Sequence, residues 1–135
     1  DTLKDPAKVE RSAVVMHSIA GAFAIRKENW KLCFCDGSGG WSVPRRAKTG
    51  SPKWQLFDLD ADPKEQHNLY AKNTEKVKEL HDLMLKYIAD GRSTEGAVQS
   101  NDAEIRLEKE GPRSEKHRAQ TKAQKENKKN RKKKK

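Results

Sequence analysis

Residues 54–70 read Trp-Gln-Leu-Phe-Asp-Leu-Asp-Ala-Asp-Pro-Lys-Glu-Gln-His-Asn-Leu-Tyr, and this stretch decides the fold. Apolar and polar residues alternate at its start, which predicts a short strand with Trp54 and Leu56 on one face. Pro63 cannot donate to a sheet and fixes its own φ, so the strand must end before it. Leu69 then returns to the apolar core just before the one long helical pattern of the chain.

Three carboxylates lie at this turn, and two explanations of them compete. The spacing of Asp58, Asp60 and Asp62 resembles the start of an EF-hand loop. That loop needs Gly at its sixth position and a bidentate Glu at its twelfth, where this chain has Pro63 and Leu69. Asp60 and Asp62 can instead accept hydrogen bonds from nearby backbone N–H groups, which favours a turn. We therefore predict a structural turn and no metal site.

The residues before this stretch predict further strands. Residues 12–18 and 22–26 are β-prone runs, and residues 30–35 alternate apolar side chains with Lys31 and the two cysteines. A tight turn separates the last two runs, and Asn29 can adopt the positive φ that such a turn requires. Together with the strand at Trp54, these runs predict a small antiparallel sheet of three or four strands.

The residues after this stretch predict one amphipathic helix. Apolar residues recur at spacings of three and four across 74–90, which gives the helix a single apolar face. Asn73 can serve as the N-cap, and Gly91 stands where a left-handed residue ends a helix. The predicted fold is thus α+β, with the sheet packed against one C-terminal helix.

The charge of the chain is concentrated at its end. The 135 residues carry a net charge of +10, and residues 111–135 hold twelve Lys or Arg but two Asp or Glu. The rest of the chain is therefore neutral, and the basic segment lacks the apolar residues that would offset the entropy cost of ordering it. The expected organisation is a connector, an α+β subdomain, an irregular extension and a disordered basic tail, over residues 1–11, 12–92, 93–110 and 111–135.

The two cysteines, Cys33 and Cys35, are expected to be buried or partly buried thiols. They point to the same face of a strand, a geometry that disfavours a disulfide between them. They are also too few for a structural zinc site. No apolar run reaches the length of about 20 residues that crosses a bilayer, and no signal-peptide pattern is present. Because position 1 is Asp, we expect a fragment or a processed product.

A glycine-rich run, Asp-Gly-Ser-Gly-Gly, occupies residues 36–40. Such a run can bind phosphate when it opens a helix, but this one lacks the Gly-Lys-Ser/Thr ending and is followed by Pro44. A flexible loop that brings Trp41 to the surface is the favoured interpretation.

Four segments resemble formylglycine-dependent sulfatases of bacteria. Residues 57–69 resemble the signature Y/F-D-L-x-x-D-P-x-E-x-x-N-L, which in that family closes a small antiparallel sheet onto a C-terminal helix. Residues 17–32 resemble H-S-x-x-G-x-F-A-I-R-x-G-x-W-K-L, and residues 37–42 and 87–96 resemble segments that commonly accompany these two. The chain departs from the family at Glu28, where Gly is usual, and at Glu95, where Pro is usual.

The resemblance implies a sulfate-ester hydrolase whose reactive half lies elsewhere. In that family the nucleophile is a formylglycine made from a Cys/Ser-x-Pro-x-Arg motif, beside a calcium held by Asp and Asn. Neither Cys33 nor Cys35 has Pro two residues later. The expectation is therefore that this chain has no catalytic residue, nucleophile motif, cofactor or metal ligand of its own, and needs a separate catalytic domain as partner. Its exposed face would include both cysteines and Phe57, and the family is usually periplasmic or secreted.

Four residues are candidates for contact with a sulfated carbohydrate or aryl sulfate. His17 and Ser18 end a strand, where a loop would face the catalytic domain and the imidazole would hydrogen-bond a sugar hydroxyl or a sulfate. Arg26 and Arg92 carry a charge that suits an anionic substrate. Structural packing of His17 and ordinary surface ion pairing of the arginines are the competing explanations.

A second function class is binding of nucleic acid or another anionic surface through the basic tail. About ten basic charges would give non-specific affinity that falls with salt. No aromatic residue lies between Gly111 and Lys135, which argues against stacking on single-stranded bases. A solvated, solubilising tail is the favoured interpretation, and nucleic acid is not the expected partner.

Overall fold

The computed structural model describes residues 13–45, 47–48 and 50–107. The predictions for the connector and the basic tail lie outside these residues. One sheet has the strand order β1-β2-β3-β4, and all neighbouring strands are antiparallel. The predicted α+β fold is confirmed, with four strands and one helix. The elements are β1 (Val14–His17), β2 (Phe23–Lys27), β3 (Trp30–Cys33), β4 (Gln55–Asp58) and α1 (Thr74–Asp90).

The core lies between one face of the sheet and the helix. The alternation predicted from the sequence places Ile25, Leu32 and Leu56 on that face, and Leu80 of α1 meets them. These four side chains are fully buried, and burial of each contributes about 1.5–3 kcal/mol. Leu69 packs against the cluster from the segment after β4, as predicted.

The helix begins and ends where its sequence pattern indicates. Gly91 adopts the left-handed conformation with φ 64°, and its N–H and that of Arg92 bond the carbonyls of Ile88 and Tyr87. A side chain at Gly91 would also collide with the carbonyl oxygen of Gln99. The N-terminus differs from the prediction, because Asn73 stands at the N-cap position but makes no side-chain cap hydrogen bond.

The turn between β2 and β3 corrects one expectation. Lys27 pairs with Trp30, so the turn consists of Glu28 and Asn29. Glu28, and not Asn29, has a positive φ of 55°. A positive φ at the first of two turn residues is typical of a type II′ turn, in which Gly is preferred at that position. This geometry explains why Gly is usual where this chain has Glu28.

Glu28→Gly is expected to stabilise the protein by about 0.5–1 kcal/mol. The left-handed conformation costs a non-glycine residue about 1–2 kcal/mol, and glycine removes this cost. The greater freedom of glycine in the unfolded chain cancels about half of the resulting stabilisation. Thermal or urea unfolding measures the change. Asn29→Gly is the matched control and should destabilise, because it removes the 2.7 Å bond from Asn29 Nδ2 to Asp58 Oδ1. Equal effects of the two variants would contradict the assigned turn.

The sheet face away from the helix is less open than predicted. Phe57 was expected on an uncovered face, but it is only 4% exposed, so that prediction is wrong. Its cross-strand neighbour Lys31 forms a 2.6 Å ion pair with Glu65, which brings the segment after β4 back over this face. Val14 and Met16 of the edge strand β1 are the exposed apolar residues there.

No helix in the described ranges is long and apolar enough to cross a membrane.

Candidate functional site

One end of the sheet gathers residues from all four strands. His17 ends β1 and pairs with Phe23 at the start of β2, while Cys33 ends β3 and pairs with Gln55 at the start of β4. We call this end of the strands the loop end of the sheet, and we define it by His17, Phe23, Cys33 and Gln55. The antiparallel order therefore brings two segments of the sulfatase-like pattern to the same place.

The loop of residues 36–44 begins at the loop end of the sheet and is closed on itself. The N–H of Ser38 donates to the carbonyl of Pro44 over 3.0 Å, and Ser38 Oγ donates to the carbonyl of Ser42 over 2.8 Å. Trp41 lies at the tip and is 75% exposed, as predicted for a surface loop. The hydrogen bonds make this a closed loop, where the sequence suggested only a flexible one.

Gln55 fastens the start of this loop to β4. Its Nε2 donates to the carbonyl oxygens of Cys35 over 3.0 Å and of Gly37 over 2.7 Å. One amide group therefore satisfies two loop carbonyls that would otherwise depend on water. Sequence reasoning missed Gln55, because its loop partners lie about 20 residues earlier in the chain and no local pattern connects them.

Ser18 fastens the tip of the same loop to the end of β1. Its hydroxyl donates to the carbonyl of Gly39 and accepts from the N–H of Ala22 over 3.1 Å. Gly39 has φ 66°, and a side chain there would stand 3.3 Å from Ser18 Oγ, from Ala22 Cβ and from Cys35 Sγ. The close approach and the positive φ both favour glycine at this position.

His17 is the exposed polar side chain of this group. Its Nδ1 lies 3.2 Å from the carbonyl oxygen of Ser18, and its ring meets Phe23 edge-on at 6.4 Å between centroids. A carbonyl only accepts, so the contact places a proton on Nδ1 and leaves Nε2 as the ring nitrogen for an external group. The hydroxyl of Ser18 already has a donor and an acceptor partner within the protein.

The two cysteines form no disulfide, and burial is the main influence on the pKa of each thiol. Burial raises the pKa of Cys33 to about 12. Burial also raises the pKa of Cys35, although hydrogen bonding to Gly37 and Gln55 acts in the opposite direction. Because the thiolate is the reactive form, neither cysteine has the microenvironment of a nucleophile at neutral pH.

Of the two candidate arginines, Arg26 lies apart from His17 and Ser18. Arg26 pairs with Val14 at the opposite end of β1 and β2, about 10 Å along the strand from the loop end of the sheet, and its Nε donates to the carbonyl of Glu28 over 2.9 Å. Arg92 follows the helix. The prediction that these arginines bind substrate stays a prediction.

Arg92 organises the loop in which it lies. Its guanidinium donates to the carbonyls of Ala97 and Glu95 and to Thr94 Oγ1. A side chain at Gly96 would collide with that guanidinium. These contacts explain how Arg and Gly occur together in the 87–96 segment.

The acidic turn after β4 is held by hydrogen bonds to its carboxylates, as predicted, but Asp58 accepts the bonds that were expected at Asp60. Asp58 Oδ1 accepts from Asn29 Nδ2 and from the N–H groups of Asp60 and Ala61. These bonds, that from Asn29 first, hold the pKa of Asp58 below its ordinary value. Asp60, which was expected to accept such bonds, contributes its N–H instead.

Two further residues of the signature hold this turn. Burial acts to raise the pKa of Asp62, but hydrogen bonds, including a 2.7 Å bond from the N–H of His67, outweigh it and keep that pKa low. Asn68 accepts from the N–H of Leu56 over 3.0 Å and donates to the carbonyl of Trp54 over 3.1 Å. Asn68 thereby ties the end of the signature to β4, a role that the sequence pattern alone did not indicate.

One sequence expectation needs correction. Residues 42–46 read Ser-Val-Pro-Arg-Arg, which satisfies the letters of Cys/Ser-x-Pro-x-Arg. Ser42 lies exposed in the closed loop, and the nearest acidic residues along the chain are Asp36 and Asp58. No group of three or more His, Cys, Asp or Glu converges within the described ranges.

No protein-family model matches the sequence. The chain is similar to a solved structure from Bacteroides thetaiotaomicron described as "Metabolism of multiple glycosaminoglycans by bacteroides thetaiotaomicron is orchestrated by a versatile core genetic locus (BT33336S-sulf)". The two share 29% identity with a TM-score of 0.47, over 63% of this chain. This chain spans 18% of the length of that protein.

Ser18→Ala is expected to loosen the 36–44 loop and to expose Cys35. The substitution removes two hydrogen bonds, which costs about 1–2 kcal/mol. The rate of labelling by Ellman's reagent is measured for Cys35 in a Cys33→Ala background and for Cys33 in a Cys35→Ala background. Ser18→Ala should raise the rate about fivefold at Cys35 and leave the rate at Cys33 unchanged. Ser51→Ala, an exposed serine in the next loop, is the control. Equal acceleration at both thiols would indicate global unfolding and contradict a local clamp.

Proposed function

We propose that this chain is the C-terminal subdomain of a formylglycine-dependent sulfatase. In this proposal it shapes the substrate end of the active site and has no turnover without the catalytic domain. The formylglycine and the calcium would belong to that domain. The contribution of this chain is the loop end of the sheet, with His17 as the residue that contacts substrate.

The observation that carries the proposal is the meeting of two sulfatase-like segments. The 17–32 and 37–42 segments are joined by the hydrogen bond from Ser18 to Gly39. A pattern of residues that serves one site is expected to converge in space, and these two segments do so beside the exposed His17. The close approach and the positive φ favour glycine at position 39, which gives a physical reason for its place in the pattern.

The departures from the pattern also agree with the proposal. Glu28 occupies a left-handed position that explains the usual Gly. Glu95, where Pro is usual, lies in a loop that the guanidinium of Arg92 holds through several carbonyls. The fold therefore tolerates both substitutions.

His17 suits recognition of a sulfate ester or a sugar hydroxyl. Its Nδ1 is engaged by the protein, so Nε2 is the nitrogen that an external oxygen would meet. With the proton on Nδ1, Nε2 accepts from a sugar hydroxyl, and donation to a sulfate oxygen requires a second proton on Nε2. The catalytic domain would dock beside it, and the exposed Val14 and Met16 supply apolar surface for that contact.

The proposal is tested by sequencing upstream of the codon for Asp1 and assaying the longer product. The open frame should continue and encode a Cys/Ser-x-Pro-x-Arg motif, and the longer protein should hydrolyse a sulfate ester such as 4-nitrophenyl sulfate. In that protein His17→Ala should raise KM roughly tenfold with a smaller change in kcat, because a hydrogen bond to a charged group is lost.

His67→Ala is the matched control for this experiment. His67 is an exposed histidine whose Nδ1 lies 3.3 Å from Asp62 in the turn after β4, away from the loop end of the sheet. Its substitution should leave KM unchanged. A stop codon directly upstream and in frame would contradict the proposed parent enzyme. An unchanged KM for His17→Ala in an active enzyme would contradict only the role of His17.

A further inference from the structure

The tip of the 36–44 loop presents an aromatic ring to solvent on a fixed support. Trp41 is 75% exposed, and Val43 beside it is 88% exposed. Burial of an indole contributes more than that of most side chains, so leaving one outside the core costs the fold a substantial apolar contribution. Hydrogen bonds from Ser18 and Gln55 hold the loop that carries this ring. An exposed ring on an ordered loop is typical of a binding surface.

Basic residues follow this ring, and no acidic residue lies among them in the sequence. Between Gly37 and Phe57 the sequence has four Lys or Arg and no Asp or Glu. In the part of the chain that the structure describes, Arg45 and Lys48 are exposed and have no ion-pair partner. The bond between Ser38 and Pro44 closes the loop at its base, and Arg45 comes directly after it. Positive charge therefore lies within a few residues of the ring.

A sulfated sugar fits this combination of groups. One face of a pyranose ring presents weakly positive C–H bonds, which pack against the negative face of an indole. Sulfate groups on the same chain would pair with the guanidinium of Arg45 and the ammonium of Lys48. Gly39 and Gly40 precede Trp41, so no side chain from these two positions obstructs the approach to the ring.

The number of aromatic residues argues against a nucleic-acid strand. Proteins that hold single strands stack successive bases on several aromatic side chains. Among the described residues, Trp41 is the one Trp, Phe or Tyr whose side chain is exposed. The single ring of Trp41 can stack on one sugar unit. The charges of Arg45 and Lys48 can pair with sulfate groups on neighbouring units.

We propose that Trp41, Arg45 and Lys48 form a binding site for a sulfated polysaccharide, with Trp41 as the stacking platform and Arg45 and Lys48 as the residues that bind sulfate. The choice of sulfate over other anions rests on the proposed function, but the site is separate from His17 in its residues. Binding there requires no hydrolysis, so it holds or fails independently of the catalytic domain.

The test measures binding of the full chain to a dextran sulfate oligosaccharide by calorimetry at physiological salt. Trp41→Ala should weaken binding roughly tenfold, because a stacking contact of about 1.4 kcal/mol is lost. This variant changes no charge, so the basic tail cannot account for the loss. Its unfolding temperature should match that of the wild type, since the side chain is exposed.

A charge-matched pair isolates the basic residues. Arg45→Gln with Lys48→Gln should weaken binding about three- to tenfold. Lys132→Gln with Lys133→Gln removes the same charge from the tail and should have a smaller effect. Unsulfated dextran of the same length should bind far more weakly.

Three results would overturn the proposal. The first is unchanged affinity for Trp41→Ala, and the second is equal losses for the two charge variants. The third is binding of an oligothymidine strand as tight as that of dextran sulfate and equally sensitive to Trp41→Ala, which would assign the loop to nucleic acid instead.

Discussion

The packing of Leu80 against the sheet is the contact on which the rest of the structure depends. Leu80 is fully buried together with Ile25, Leu32 and Leu56, and Val77 and Met84 of the same helix are buried in the same cluster. The hydrophobic contribution of these side chains, several kcal/mol in total, is comparable to the stability of a small domain. The helix thereby fixes the sheet, and the sheet fixes the position of each loop at its ends.

The proposed function of the chain rests on what the sheet leaves outside this core. Because the strands are antiparallel, β1 and β3 end at the loop end of the sheet. There the hydroxyl of Ser18 and the amide of Gln55 hold the 36–44 loop through hydrogen bonds. Backbone carbonyls of a glycine-rich loop need such partners, because the loop has few side chains of its own to pack. His17 and Trp41 are therefore presented on an ordered support.

The fold was predictable wherever one periodicity was strong. The three- and four-residue spacing of α1 gave its bounds, and the alternation around Leu32 and Leu56 assigned the core face of the sheet. Turn conformations were less predictable. Asn29 is the better left-handed residue by intrinsic preference, but the strand register places Glu28 at the position with positive φ. Phe57 is buried, and its cross-strand neighbour Lys31 pairs with Glu65, a contact that no local pattern could indicate.

The candidate site was predictable only in part. His17 and Ser18 could be identified because they end a strand within a familiar pattern. Gln55 could not, since its hydrogen bonds connect β4 to a loop about 20 residues earlier. Asn68 is a similar case, because it bridges the backbone groups of Trp54 and Leu56, which only the folded chain brings within reach. Long-range polar contacts of this kind require the tertiary structure.

The central claim is that this chain supports a sulfatase site but does not contain the reactive group. The most direct measurement is hydrolysis of 4-nitrophenyl sulfate by the purified 135-residue chain, with Ser42→Ala as its partner because Ser42 begins the Ser-Val-Pro-Arg-Arg sequence. The account predicts that both proteins release nitrophenol only at the uncatalysed rate. Turnover by the wild-type chain that Ser42→Ala abolishes would contradict it.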